Sequence, residues 1–238
     1  MKVEIWSDIV CPWCYIGKRR FEEALGRFEH ADQVEVVWRS FELDPTAPTR
    51  REGSHVHHLA RKYGMSVDQA QAASDNLTRT AEKEDLFMDF SRTQGGNTFD
   101  GHRLIHLAAQ HGRQDEMKEA LMRAYFSEGR AIGETATLVD VAAELGFDPD
   151  EVREVLAGDT YADEVRAEER DGQRLGITGV PFFVVDRAYG VSGAQNPDVL
   201  LEVLETAWAA AHPLTMVGIT AAEGTDADVV CEGDACVI

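Results

Sequence analysis

Two cysteines with only a proline and a tryptophan between them, Cys11 and Cys14, stand where one residue pattern gives way to another. Before them, "KVEIWS" (Lys2–Ser7) has the length and the β-branched and aromatic content of a short strand. After them, Pro12 suits the first turn of a helix, and Phe21, Ala24, Leu25 and Phe28 recur at helical spacing. "VEVVWRSFEL" (Val34–Leu43) then reads as a second strand, closed by the turn signals of "DPTAP". A C-x-x-C pair at a strand-to-helix junction within a β-α-β unit admits three readings: a redox dithiol, half of a zinc site, or two core thiols.

The rest of the chain narrows the fold. From about Ser54 to Leu175 every apolar pattern is helical. "SVDQ" (Ser66–Gln69) is a capping box opening a helix expected to reach about Met88. Leu104, Leu107 and Ala108 face inward on a helix ending at Gly112. Met117, Leu121, Ala124 and Tyr125 mark another, and Leu138, Val141, Ala142 and Leu145 a third. "DPDE" (Asp148–Glu151) starts the next, with aspartate as cap and proline at the first helical position. Strand character returns in "GVPFFVVD" and "AYGVSG", a predicted hairpin around Asp186–Arg187. A final helix is predicted from about Pro197 to Ala211, with Val199, Leu200, Val203, Leu204 and Ala207 on its apolar side. The predicted layout is α/β: one discontinuous domain over 1–50 and 176–212, a helical insertion over 51–175, and an acidic tail over 213–238.

The chain has 238 residues, four cysteines and a formal net charge of -20. Such acidity argues against a non-specific nucleic-acid or anionic-membrane partner and suits solubility or a salt-tolerant source. "MKVEIWSD" has no apolar stretch or small-residue cleavage site of a signal peptide, so the expected location is cytoplasmic. In that setting close cysteine pairs are catalytic or metal-binding more often than structural.

At a helix N-terminus the Cys11 sulfur meets unpaired backbone N–H groups and the positive end of the helix dipole, which favour the thiolate. Cys14, one turn deeper, is placed to attack a mixed disulfide on Cys11. The expectation is therefore an exposed, attacking Cys11 and a buried, resolving Cys14. Pro12 and Trp13 are counted among the expected substrate contacts. A zinc site would need four thiolates, drawing on Cys231 and Cys236 of the tail, but zinc favours knuckle-like turns over a helix.

The strand–"CPWC"–helix start, "GITGVPFFV", "VSGAQ" and "NTFDGHR" (Asn97–Arg103) together resemble the DsbA-like branch of the thioredoxin fold. The likeness is to its cytoplasmic FrnE-like members, relatives of 2-hydroxychromene-2-carboxylate isomerases and kappa-class glutathione transferases. It spans about Val3 to Ala211. The resemblance implies a thioredoxin fold with an all-helical insertion domain and a protein thiol–disulfide oxidoreductase or isomerase, with Cys11 attacking and Cys14 resolving. It implies that Pro181 is a cis-proline facing the motif, with Val180 offering backbone groups to an extended substrate peptide. Implied partners are protein or peptide disulfides and a thiol reductant, with glutathione a candidate, and no bound cofactor or metal is expected. Two other readings stay open: a glutathione-dependent isomerase or transferase acting on an aromatic small molecule, and a zinc-binding redox chaperone.

Other candidates carry less. Cys231 and Cys236, a C-x4-C pair flanking "EGDA", form a candidate second redox pair, also a feature of some FrnE-like proteins. Lys18–Arg20 ("KRR") reads as a solvated helix face, and "HVHH" (His55–His58) as a solvated helix start. His102 and His106 read as packing or surface residues, Trp6 and Trp38 as core. Neither Glu4 nor Asp8 is a clear match for a buried proton-transfer carboxylate, so that role is left unassigned.

Overall fold

The computed structural model describes residues 1–213. Its centre is β1 (Lys2–Ser7), the strand that leads into the cysteine pair. The strand is buried from Val3 to Ser7 because both its edges are paired and both its faces covered. Val3 and Ile5 point into the main core, while Trp6 points to a smaller cluster with Ile177 and Val184.

Helix α1 (Pro12–Arg27) returns the chain so that β2 (Glu35–Ser40) pairs parallel to β1, Lys2 opposite Glu35 and Ser7 opposite Ser40. Seven helices follow: α2 (His55–Tyr63), α3 (Val67–Glu82), α4 (Phe99–Gln110), α5 (Gln114–Phe126), α6 (Thr135–Glu144), α7 (Pro149–Ala157) and α8 (Ala162–Arg174). Then β3 (Phe182–Val185) pairs antiparallel to β1, and β4 (Tyr189–Ser192) pairs antiparallel to β3. The sheet order is β2-β1-β3-β4, and α9 (Pro197–Ala211) closes the described chain against α1. Helices thus separate two halves of one mixed sheet, the thioredoxin fold with helices inserted between β2 and β3.

The hairpin turn has both Asp186 (φ 47°) and Arg187 (φ 56°) in left-handed backbone, the twist that a two-residue hairpin needs. Asp186 offsets that strain by accepting a hydrogen bond from the Lys2 amide at 2.6 Å. The predicted capping box at Ser66 is present with both of its hydrogen bonds, and Asp148 caps α7 through the Asp150 amide.

Some boundaries differ. Strand β2 stops at Ser40 rather than Leu43, because the Leu43 amide turns away to the Asp8 carboxylate at 2.8 Å. Helix α3 ends at Glu82, not near Met88. The chain there turns through Asp85 at positive φ and buries Leu86 and Met88 from a loop. On α9, Leu200, Leu204 and Ala207 are buried as expected, but Val199 is 40% exposed. No helix among the described residues is long and apolar enough to cross a membrane.

Candidate active site

Soon after β1, Cys11 takes the N-cap position of α1 with extended backbone, and Pro12 supplies the first helical residue. The Cys11 carbonyl accepts hydrogen bonds from the amides of Cys14 (3.0 Å) and Tyr15 (3.3 Å), which sets Cys14 one turn inside the helix. From the segment that leads into β3 come Val180 and Pro181, joined by a cis peptide bond. The Cys11 thiol donates to the Val180 carbonyl at 3.6 Å. Cys11, Cys14, Val180 and Pro181 are therefore brought together; Pro12 is half-buried beside them, and Trp13 is 46% exposed at the rim. Cys231 and Cys236 lie outside the described residues.

Two expectations about Cys11 need correction. It is not exposed: with 5% of its surface accessible it is nearly as enclosed as Cys14. The Val180–Pro181 segment covers it, and it opens onto a cavity. Nor does the helix N-terminus prevail over its other surroundings. The Cys11 thiol is pushed well above its ordinary range by its contact with Cys14, by burial and by repulsion from Cys14 and Asp8. An amide of the first turn pulls the other way but is outweighed.

Pro181 is held against the motif by a close approach. A side chain at Gly17 would place its Cβ 2.9 Å from Pro181 Cγ, and a proline ring has little freedom to yield. Gly17→Val is expected to cost about 1–3 kcal/mol of stability through overpacking. It should also force Pro181 off the cysteine pair and change the reactivity of Cys11. Denaturant midpoint and the rate of Cys11 alkylation check the two effects, and an unchanged rate at unchanged stability would show that the contact is not needed.

Beneath the cysteines lies a buried polar group centred on Asp8, whose role the sequence leaves unassigned. Asp8 accepts hydrogen bonds from the amides of Ile9 (2.7 Å) and Leu43 (2.8 Å), and His102 Nε2 stands 3.3 Å from the same carboxylate. Burial pushes the Asp8 carboxyl up, but the bonds from His102 and Leu43 and the nearby Lys118 charge outweigh it, and the net shift is downward. Burial holds His102 below its ordinary value, against the upward pull of its bond to Asp8. Lys118 of α5 is also fully enclosed, donating from Nζ to the Ser7 carbonyl at 3.1 Å. Burial pulls its ammonium down to about 8, against the opposing pull of Cys14, Asp8 and Cys11. The helical insertion therefore delivers a cation to the underside of the dithiol. A signal existed: Lys118 stands three residues before Leu121 and seven before Tyr125, on the apolar face of α5 rather than its solvated one.

Other side chains also depart from expectation. The "KRR" run is no solvated face: Lys18 is 2% exposed and bonds Glu22, Asp115 (3.2 Å) and Glu119 (3.1 Å). Arg19 joins Glu119, and Arg20 reaches Glu84 at 2.7 Å, so the patch fastens α1 to the helical insertion. His55 is half-buried against the Phe90 ring, and with His58 it lines the cavity rather than a solvated helix start. His102, buried against Asp8, and His106, half-buried against Glu168, are packing residues, one of the two roles expected of them. Glu4 is committed to Arg39 and Arg187. Trp6 and Trp38, by contrast, are core, as expected.

The cavity beside Cys11 measures about 580 Å³ and runs from Cys11, Trp13 and Val180 to α2 and α3. Among the described residues, no three His, Cys, Asp or Glu side chains come together as a metal ion would require.

This arrangement has counterparts. Residues 2–205 match the model of the DSBA-like thioredoxin domain family. The structure is similar to that of a probable DsbA oxidoreductase from Streptomyces coelicolor, with 50% identity, a TM-score of 0.86, and coverage of 92% of this chain and 94% of that one. It shares its fold with a 2-hydroxychromene-2-carboxylate isomerase at 12% identity and a TM-score of 0.67, covering 91% of this chain and 100% of the other. It likewise shares its fold with the cytosolic disulfide reductase DsbM from Pseudomonas aeruginosa, solved with GSH, at 20% identity and a TM-score of 0.59, covering 87% and 99% of the two chains. A motif-bearing helix start, a mixed sheet split by helices and a family match over nearly the whole described chain converge, and the chain belongs to the DSBA-like thioredoxin domain family.

Proposed function

We propose that this chain is a thiol–disulfide oxidoreductase that reduces or isomerises disulfides of protein or peptide substrates through Cys11 and Cys14. The observation that carries the reading is the pairing of Cys11, at the helix N-cap and open to a cavity, with a Cys14 that has no access at all. Of these two, only the outer sulfur can meet a substrate, and the inner one is placed to displace it.

The Cys11 thiolate attacks one sulfur of the substrate disulfide, forming a Cys11–substrate bond and expelling the other sulfur as a thiolate. The Cys14 thiolate next attacks Cys11 Sγ, releasing the second substrate sulfur and forming the Cys11–Cys14 disulfide. Two electrons pass to the substrate, and an external thiol, glutathione among the candidates, restores the dithiol. The Val180 carbonyl, now holding the Cys11 thiol, becomes free to pair with substrate backbone when that thiol ionises. Lys118 is the nearby cation that can offset the negative charge as either sulfur ionises. In a reducing cytoplasm, the proposed location, net flow is toward reduction or isomerisation.

The direct test is insulin reduction and reactivation of a scrambled disulfide protein by the full chain with a thiol reductant. Turnover well above the uncatalysed rate is expected; a rate equal to the reductant alone overturns the reading. The same assays on a chain truncated after residue 213 decide whether Cys231 and Cys236 take part.

A further inference from the structure

The cavity beside Cys11 is larger and less polar than peptide-backbone pairing at Val180 requires. Its volume of about 580 Å³ falls within the range of small-molecule pockets. Val10, Leu59, Met65 and Leu77 form apolar walls. Three of the seven large apolar side chains exposed on the described surface, Trp13 (46%), Leu43 (39%) and Tyr63 (61%), line this one cavity. An apolar collar around a reactive sulfur selects for apolar bodies.

Its charge is equally uneven. The chain carries a net -20, yet the cavity wall holds Arg51 and Lys62 against Asp44 and the buried Asp8. Arg51 is neutralised by Asp44 at 2.5 Å, and Asp8 is occupied by its own donors. Lys62 is left as a cation without a carboxylate partner among the described residues, its ammonium 5.7 Å from the Tyr63 ring centre. A strongly acidic protein thus sets a positive charge, uncompensated among the described residues, on an apolar pocket that ends at its nucleophile.

We infer that this cavity binds one half of a small organic disulfide, a half with an apolar, preferably aromatic, body and one anionic group, a further substrate class beside proteins and peptides. The inference rests on the dithiol reading for its chemistry. The body lies along Val10, Leu59 and Leu77, the anion near Lys62, and the disulfide at Cys11. Cys11 bonds to one half and expels the other as a thiolate, then Cys14 displaces the first, so one disulfide takes two electrons and leaves as two thiols. An external thiol reduces the Cys11–Cys14 bond for the next cycle. Glutathione, a polar tripeptide with several charges, matches these walls poorly.

Binding and chemistry are separable. In a Cys11→Ser, Cys14→Ser protein, anilinonaphthalene sulfonate is expected to bind at one saturable site. Ala73→Trp, which fills the cavity from an exposed position on α3, should weaken it at least about 10-fold. Lys62→Gln should weaken it about 3–5-fold, the worth of one exposed charge contact. With both cysteines present, dithiobis(nitrobenzoate) should show a KM at least about 10-fold below that of bis(hydroxyethyl) disulfide. Lys62→Gln should erode that preference, but not the one for uncharged dithiodipyridine. Dye binding unchanged by Ala73→Trp overturns the inference, as does displacement of the dye by glutathione at no higher concentration than by nitrobenzoate. Dye binding as described with no reduction of any disulfide would instead overturn the dithiol reading and leave the pocket's ligand class standing.

Discussion

Cys11→Ser is expected to lower disulfide reduction at least about 10³-fold, the scale on which loss of a nucleophile stops covalent catalysis. A serine hydroxyl stays protonated in a site this enclosed, so no substrate–enzyme bond forms. Cys14→Ser should behave differently. The first attack still occurs, but no buried sulfur follows it, and a mixed disulfide on Cys11 accumulates, visible as a mass increase that a reductant removes. The contrast depends on position: Cys11 lines the cavity, while Cys14 is fully enclosed one turn inside α1. A Cys11→Ser protein retaining more than about a tenth of the rate would contradict the scheme. Full activity in Cys14→Ser would point to the glutathione-dependent isomerase alternative.

Lys118→Met is expected to slow alkylation of Cys11 about 10–100-fold at pH 7, the effect of removing a nearby opposite charge from an ionising group. The thiol is already pushed up by Cys14, burial and Asp8, so losing the cation raises it further. The difference should shrink as the pH rises, because the wild-type ammonium itself loses its proton around pH 8. Thiolate absorbance against pH reads this directly, and a merely structural lysine would not move it.

Stability should change in the opposite sense. The unfolded chain holds this proton up to the ordinary lysine value of 10.5, the folded chain only up to about 8. The unfolded state thus binds more protons between those values, and stability rises with pH across that window. Below pH 8 the folded state carries the full cost of the buried charge, about 3 kcal/mol for such a shift. The Lys118→Met substitution removes that cost, so the variant should be no less stable at pH 7, with a gain bounded by the same figure. Loss of stability with unchanged alkylation would mark Lys118 as a packing residue.

The elements around the dithiol are legible because they rest on local chemistry. Proline at the first helical position, the capping box at Ser66 and the aspartate cap of α7 bond within a few residues, so adjacent sequence suffices to place them. Strand β2 and helix α3 are shorter than their patterns predict for one reason: each ends where a distant partner or a buried loop takes over. The Leu43 amide leaves its strand for Asp8, and Leu86 and Met88 bury from a turn that looks like continued helix. Lys18 escapes a reading of the sequence because a lysine is exposed by default, and Lys118 is marked only by its place on the apolar face of α5.

The sequence by itself determined the cysteine pair at a strand-to-helix junction, a sheet split by helices and the proline that faces the motif. The first two follow from periodicity, capping and turn chemistry over short spans, the third from the family resemblance of "GITGVPFFV". Tertiary structure alone decided the environment of the pair. It enclosed Cys11 as well as Cys14, raised its thiol, drew Asp8, His102 and Lys118 beneath it from three parts of the chain, and left an apolar cavity at its side. The physical reason is that burial and electrostatic field at a sulfur are sums over groups on the order of a hundred residues away, which local sequence does not contain.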